Sequence, residues 1–349
     1  MGVLIFSDIH YHDHPLFLGE PGQENPFVVI AKSVFKQINN YINKDKKIDT
    51  IIFLGDLVHS RNKLNVKHIN DLMDFFGSAG KNINSYILRG NPAHDGEGEH
   101  YIGNLLGYVA SVIDSPVMIS NYFFLPYDRK ENLLKTIKEW EKVYRKDKNK
   151  KQLFMHYGLK GAKVLDYEFP DEETLSQDDL KMFDCVLAGH FHRYQEVWKN
   201  AWHVGSPYRV SFAEKDDPKG FMVLHDNGKV EFVELVVPRM VQLAVDKEDN
   251  GKTKFNIGDC FLKIFVKGTD SFIKNFDYEH YKKIYPEARG IKFETERIDD
   301  EKEVREVRIN KSDNPKIMVE KYLNFVKDQT EGLDIKKLKT IAETAMGGK

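Results

Sequence analysis

Val3-Leu4-Ile5-Phe6-Ser7-Asp8-Ile9-His10 runs through four apolar residues without a polar break and then turns polar at once. A strand with one wet face alternates apolar and polar residues, whereas an unbroken apolar run marks a strand covered on both faces. The design recurs. Ile51-Ile52-Phe53-Leu54 leads into Gly55-Asp56, and Tyr86-Ile87-Leu88 into Arg89-Gly90-Asn91. Leu153-Phe154-Met155 leads into His156, and Cys185-Val186-Leu187-Ala188 into Gly189-His190-Phe191-His192. Helical spacing fills the intervals at Phe27 to Ile42, Val66 to Phe76 and Leu133 to Tyr144. Strand and helix in alternation predict a layered α/β domain. In such sheets ligands gather at the carboxyl ends of the strands, where each run delivers its polar residue.

After residue 200 the character changes. Trp202-His203-Val204 and Gly220 to Val237 read as further strands, with Asp226-Asn227-Gly228 as a hairpin turn. From Pro238 a small β-α-β unit is expected, with strands at Phe261 to Lys267 and Ile291 to Ile298 and a helix at Tyr278 to Ile284. Residues 299–314 are almost all polar and read as a linker. Pro315 opens an amphipathic helix, and a second apolar stripe ends near Ala345. The expected layout is therefore a main domain at 1–237, a small α+β domain at 238–298, a linker at 299–314 and C-terminal helices at 315–346. The 41% hydrophobic content suffices for such cores. A net charge of −2 argues against a protein that coats nucleic acid by charge alone. Cys185 and Cys260 cannot build a disulfide framework or a cysteine zinc site. No apolar run reaches the length of a membrane span, and the N-terminus has neither a signal-peptide nor a myristoylation layout. The cytoplasm is the expected compartment, with no membrane contact.

The polar residues at the strand ends form a set that suits divalent cations, which take carboxylate oxygen and imidazole nitrogen. Asp8 and His10 are one residue apart, as are His190 and His192, and alternate residues of a strand share a face. Asp56 supplies a carboxylate able to bridge two ions, Asn91 an amide oxygen and His156 a further imidazole. Any one of these patterns is common by chance. Five in order, each closing a buried strand, point to a centre for two metal ions of the kind that serves in-line displacement at phosphorus.

In that order (Asp-x-His, Gly-Asp, Gly-Asn, a lone His, Gly-His-x-His) the chain resembles the calcineurin-like metallophosphoesterases over roughly residues 1–240. The resemblance implies a layered β-sandwich flanked by helices. It also implies one metal at Asp8, His10 and His192, a second at Asn91, His156 and His190, and Asp56 as the bridge. Manganese, iron or zinc is the usual metal, and manganese is the leading expectation. Gly55-Asp56-Leu57-Val58-His59 is similar to the form found in the SbcD family of DNA repair nucleases, where the last His helps orient the phosphodiester. Gly205 to Phe212, followed by Lys219-Gly220-Phe221, is similar to a further segment of that family. By position, 238–298 would be its DNA-contacting capping domain, and 315–346 its docking segment for an SMC-like ATPase of the SbcC type. A homodimer is implied too, and the compact length resembles bacteriophage-encoded members.

One departure stands out. The family places its catalytic His directly after the Asn, but here Pro92-Ala93 intervene before His94. The two residues either bulge outward and leave His94 in place, or displace it by several ångströms. The favoured reading keeps His94 and His59 as catalytic. The leading function is a manganese-dependent DNA exo/endonuclease subunit. The alternatives are a small-substrate phosphatase or cyclic-nucleotide phosphodiesterase, or a scaffold with weak catalysis. The basic stretch Lys142 to Lys151 reads as a solvated helix end more than as a phosphate contact.

Overall fold

The computed structural model describes residues 2–15, 17, 22–45, 47–60, 65–78, 83–164, 167–168, 170–247, 255–298 and Met318. In chain order the elements begin with β1 (Gly2–Phe6), α1 (Pro26–Lys44), β2 (Ile48–Phe53), α2 (Val66–Ser78), β3 (Asn84–Leu88) and α3 (Pro92–Asp95). Next come β4 (Ser111–Ile113), β5 (Val117–Ile119), β6 (Tyr122–Leu125), α4 (Lys130–Tyr144) and β7 (Gln152–His156). The short β8 (Gly158–Leu159), β9 (Lys163–Val164), β10 (Tyr167–Glu168) and β11 (Thr174–Leu175) precede β12 (Cys185–Gly189), β13 (Gln195–Trp198) and β14 (Ala201–His203). Then follow β15 (Gly220–His225), β16 (Val230–Glu234), β17 (Arg239–Val245), β18 (Cys260–Gly268), α5 (Asp270–Lys274), α6 (Tyr278–Ile284) and β19 (Ala288–Arg297).

Two six-stranded sheets carry the fold, in the orders β16-β15-β1-β2-β3-β4 and β13-β14-β12-β7-β6-β5. The neighbours β1, β2, β3 and β4 run parallel, as do β6, β7, β12 and β14. Parallel neighbours need a crossover, which α1 and α2 supply in the first sheet. Alternation along the strands assigns the layers. Val3, Ile5, Ile52, Leu54 and Leu88 pack with Phe124, Phe154 and Leu187 of the second sheet in the core between the sheets. Their neighbours Leu4, Phe6, Ile51, Phe53 and Ile87 face the other way, onto Val34, Phe35 and Ile38 of α1 and Leu72, Phe75 and Phe76 of α2. Leu153, Met155, Val186 and Ala188 likewise meet Leu133 and Ile137 of α4. The result is a helix–sheet–sheet–helix sandwich, which is why the strands read as continuous apolar runs.

Local signals place the helices. Asn25 Oδ1 accepts a hydrogen bond from Phe27 N at 3.0 Å, and Pro26 occupies the first turn of α1, where its missing N–H costs nothing. The basic end of α4 is exposed from Arg145 to Lys150. Lys151 is buried, and its ammonium donates to Asp147 O at 2.6 Å.

By its internal packing the chain divides into two compact units, Met1–Phe265 with Asp277–Glu294 and Val266–Phe276 with Thr295–Lys349. The first holds both large sheets. A third sheet has the order β17-β18-β19. In the second unit Thr269 caps α5 by accepting from Phe272 N at 3.3 Å. The expected linker at 299–314 and helices at 315–346 lie outside the described residues, Met318 apart. Among the described residues no helix is long and apolar enough to cross a membrane.

Phe154 tests the layering. Its ring is fully buried between the sheets, 5.6 Å from that of Phe124. Phe154→Ala is expected to cost about 3–5 kcal/mol in urea unfolding. The exposed Lys148→Ala control should stay within about 0.5 kcal/mol. Equal effects from both would reject the assignment of this core.

Candidate metal centre

The chain segments that follow β1 and β2 keep pairing after the strands end. Asp8 N donates to Gly55 O at 3.0 Å, His10 N to Asp56 O at 3.0 Å and Tyr11 N to Leu57 O at 2.9 Å. The backbone is left-handed at Asp8 (φ 54°), His10 (φ 43°), Asp56 (φ 57°) and His190 (φ 86°). Non-glycine residues adopt this region rarely, at about 1–3 kcal/mol each, and such strain concentrates at functional sites. This corrects the expectation that Asp8/His10 and His190/His192 share strand faces. β1 stops at Phe6 and β12 at Gly189, so left-handed turns, not strand alternation, aim these side chains.

Two clusters result. Potential ligand atoms of Asp8, His10 and His192 lie within 4.8 Å of one another, and so do those of Asp56, His156 and His190. Each cluster draws on both sheets. In the first, the Nε2 atoms of His10 and His192 are 3.0 Å apart, and both Asp8 oxygens accept from His190 N, at 3.1 and 3.2 Å. Asp56 stands between the clusters: Oδ2 is 3.8 Å from His10 Nε2 and Oδ1 is 3.4 Å from His156 Nε2. One oxygen toward each cluster is the disposition a bridging carboxylate needs. Gly90 and Gly189 permit this crowding. A Cβ on Gly90 would sit 2.4 Å from Asp56 Oδ1, and one on Gly189 would sit 2.2 Å from Ser7 Oγ.

Asn91 lies beside Asp56, with its N–H donating to Asp56 Oδ1 at 2.7 Å. Its side-chain oxygen caps α3 by accepting from Ala93 N at 2.9 Å, and an amide oxygen has a second lone pair to offer. Pro92 and Ala93 do not carry His94 away from the site. They form the first turn of α3 and bring His94 back into the site. His94 Nε2 is 4.0 Å from Asp56 Oδ2, its ring centroid is 4.5 Å from that of His10, and its Nδ1 is bonded to His59 O at 2.7 Å. His59 completes a third close group with His10 and His94. The clusters open into a cavity of about 460 Å³ whose lining includes seven of the thirteen histidines: His10, His12, His14, His59, His94, His190 and His192.

The donor set fits divalent ions. His156 is completely buried, and its Nδ1 is bonded to Leu54 O at 2.6 Å, while its Nε2 makes no hydrogen bond. A buried nitrogen with no close hydrogen bond, 3.4 Å from a carboxylate, is placed as a metal ligand requires. Burial would lower the pKa of His156, but the adjacent Asp56 carboxylate outweighs it and lifts the ring to about 9. The same pairing holds Asp56 well below the usual carboxylate range against the opposing pull of burial. Burial and the charge on His156 push His190 down to about 3.

Four residues of the site carry no motif signal of their own. The buried Asp95 accepts from Asp56 N at 3.0 Å, Gly90 N at 2.9 Å and Leu57 N at 2.7 Å, and so clamps the loop bearing Asp56. Glu214 accepts from His192 Nδ1 at 3.1 Å and from the buried Lys219 at 2.6 Å. His203 accepts from Leu159 N at 3.1 Å, and its other nitrogen bonds Gly189 O at 3.1 Å. For Lys219 alone the sequence offered a hint, through the resemblance at Lys219-Gly220-Phe221.

The sequence matches the calcineurin-like phosphoesterase family over residues 1–194, more than half of the chain. The chain belongs to that family and is a metal-dependent phosphoester hydrolase. It is similar to a protein of Invertebrate iridescent virus 6 designated phosphoesterase 244L, with 23% identity across 65% of this chain and 82% of that one. Among solved structures it is similar to a Staphylococcus aureus protein described as a 5′-nucleotidase (13% identity, TM-score 0.40, 67% of this chain). The chain spans about half of that structure, 52%. It is also similar to the Pseudomonas putida nuclease MPE, with 14% identity, a TM-score of 0.29, and coverage of 66% of this chain and 87% of that one.

The His156 shift has a measurable consequence. A proton held near pH 9 must leave before the ring can bind an ion, so affinity at this cluster should rise with pH. The expected slope is about tenfold per unit from pH 6, flattening near pH 9. Calorimetric titration in two buffers of different ionisation enthalpy at pH 7 should count at least one proton released. A count of zero would show that Asp56 does not hold a proton on His156 before an ion binds.

Proposed function

We propose that the chain is a manganese-dependent DNA exo/endonuclease subunit that hydrolyses backbone phosphodiesters. The observation that supports this reading is the pair His59 and His94 on the cavity wall beside Asp56 and His10. A phosphodiester has a poor alkoxide leaving group, so its cleavage needs a proton donor as well as charge stabilisation. Bound divalent ions, held by Asp8, His10, Asp56, Asn91, His156, His190 and His192, would supply Lewis acidity and a nucleophile at neutral pH. The protein's own part falls to the two histidines. The bond from His94 Nδ1 to His59 O fixes the ring so that Nε2 faces the clusters. Protonated there, His94 donates to the departing oxygen, while His59 orients the ester. A cavity of about 460 Å³ has room for a sugar-phosphate unit.

The partners are part of the same proposal. With a net charge of −2 the chain has no general excess of positive charge for DNA. An SMC-like ATPase of the SbcC type would supply that affinity, docking on residues 315–346, and a homodimer would present two sites to one DNA end.

The test is manganese-dependent digestion of linear duplex DNA, with a small chromogenic phosphodiester run in parallel. Asp56→Ala should abolish cleavage. His94→Ala should lower the rate by about 10²–10⁴-fold with metal content unchanged. Full activity in Asp56→Ala would overturn the site. Turnover of the small ester alone, indifferent to DNA and ATPase, would favour a phosphatase or cyclic-nucleotide phosphodiesterase. Hydrolysis of neither substrate would leave a scaffold.

A further inference from the structure

The two clusters are held by unlike means. Each has a histidine whose remote nitrogen is anchored, but the anchors differ in charge. His156 Nδ1 bonds a neutral backbone carbonyl, Leu54 O. His192 Nδ1 bonds a carboxylate, Glu214 Oε1, at 3.1 Å. In the His192 cluster the other imidazole cannot share this task, because His10 Nδ1 is buried without a hydrogen-bond partner.

Glu214 is itself fixed from the far side. Lys219 is 1% exposed, and its ammonium places its three N–H groups on Glu214 Oε2 at 2.6 Å, Ser206 Oγ at 2.8 Å and His192 O at 2.9 Å. A buried ammonium is tolerated only when paired and fully hydrogen-bonded, as here. Ser211 Oγ donates to Glu214 Oε1 at 3.1 Å, so both carboxylate oxygens are occupied. The network therefore grips His192 twice, by its backbone carbonyl through Lys219 and by its ring through Glu214. It also accounts for a stretch of sequence, Ser206 to Lys219, that supplies no metal ligand.

We propose that Glu214, held in place by Lys219, is a positioning residue that sets the strength of the Asp8/His10/His192 cluster alone. It fixes the His192 ring with Nε2 toward Asp8 and His10, and its negative charge makes that nitrogen a stronger donor. The Asp56/His156/His190 cluster does not depend on it. The inference rests on the two-metal reading above and assigns the difference between its halves.

Manganese titration of the full chain, followed by calorimetry and by electron paramagnetic resonance, tests this. Wild type should bind two ions per chain and show the signal of a spin-coupled pair. Glu214→Gln keeps the shape and removes the charge, and should weaken one site by about 10- to 100-fold. At one to two equivalents of manganese, the coupled signal should give way to that of an isolated ion. Glu214→Asp should recover part of the lost affinity. Because Glu214→Gln leaves a buried ammonium unpaired, Glu214→Gln/Lys219→Met removes both charges. It should show the same one-site loss with the metal-free melting temperature near that of wild type. Two undisturbed sites in both variants would overturn the role of Glu214. So would equal weakening of both sites, which would signal general loosening. A wild-type chain that binds fewer than two ions would instead overturn the two-metal reading itself.

Discussion

The hydrogen bond from His156 Nδ1 to Leu54 O, 2.6 Å long, is the contact on which the site turns. It crosses from the end of one sheet to the end of the other. By occupying Nδ1 it settles which nitrogen of a buried ring remains free, and it points that nitrogen at Asp56. The glycines around it belong to the same constraint: a Cβ at Gly55 or Gly189 would meet His156 Nδ1 within 3 Å. Packing between the sheets brings the strand ends together, and this bond converts proximity into a ligand geometry.

Holding that geometry is costly. Four left-handed non-glycine residues and the burial of a carboxylate and an imidazole are all unfavourable in isolation. The continuation of pairing past β1 and β2, together with the Asp95 clamp on the Asp56 loop, offsets them. The surrounding structure over-determines these residues, which is how a fold sustains strain at a functional site.

Much of this could be read from the residues, and the limits have physical causes. Runs such as Val3 to Phe6 and Cys185 to Ala188 announced strands covered on both faces, because layering leaves no wet face to alternate toward. The polar residues closing those runs gave the candidate ligands. The manner of their aiming was misread, since a left-handed turn after a strand leaves no periodic trace. The insertion before His94 was undecidable from spacing, because two extra residues extend the chain when stretched but return it when wound into a turn such as Pro92–Asp95. Asp95 and Glu214 were invisible for another reason. Their importance lies in what they bond across the fold, and an isolated acidic or basic residue carries no sign of burial.

Both clusters draw candidate ligands from both sheets: Asp8, His10 and Asp56 come from one, and His156, His190 and His192 from the other. Divalent ions bound there would thus act as rivets through the two leaves of the sandwich. Sliding one leaf against the other would then break both coordination spheres at once, so the affinity for metal and the resistance of the sandwich to shear would be one free energy measured in two ways. The candidate metal centre would then be a mechanical joint as well.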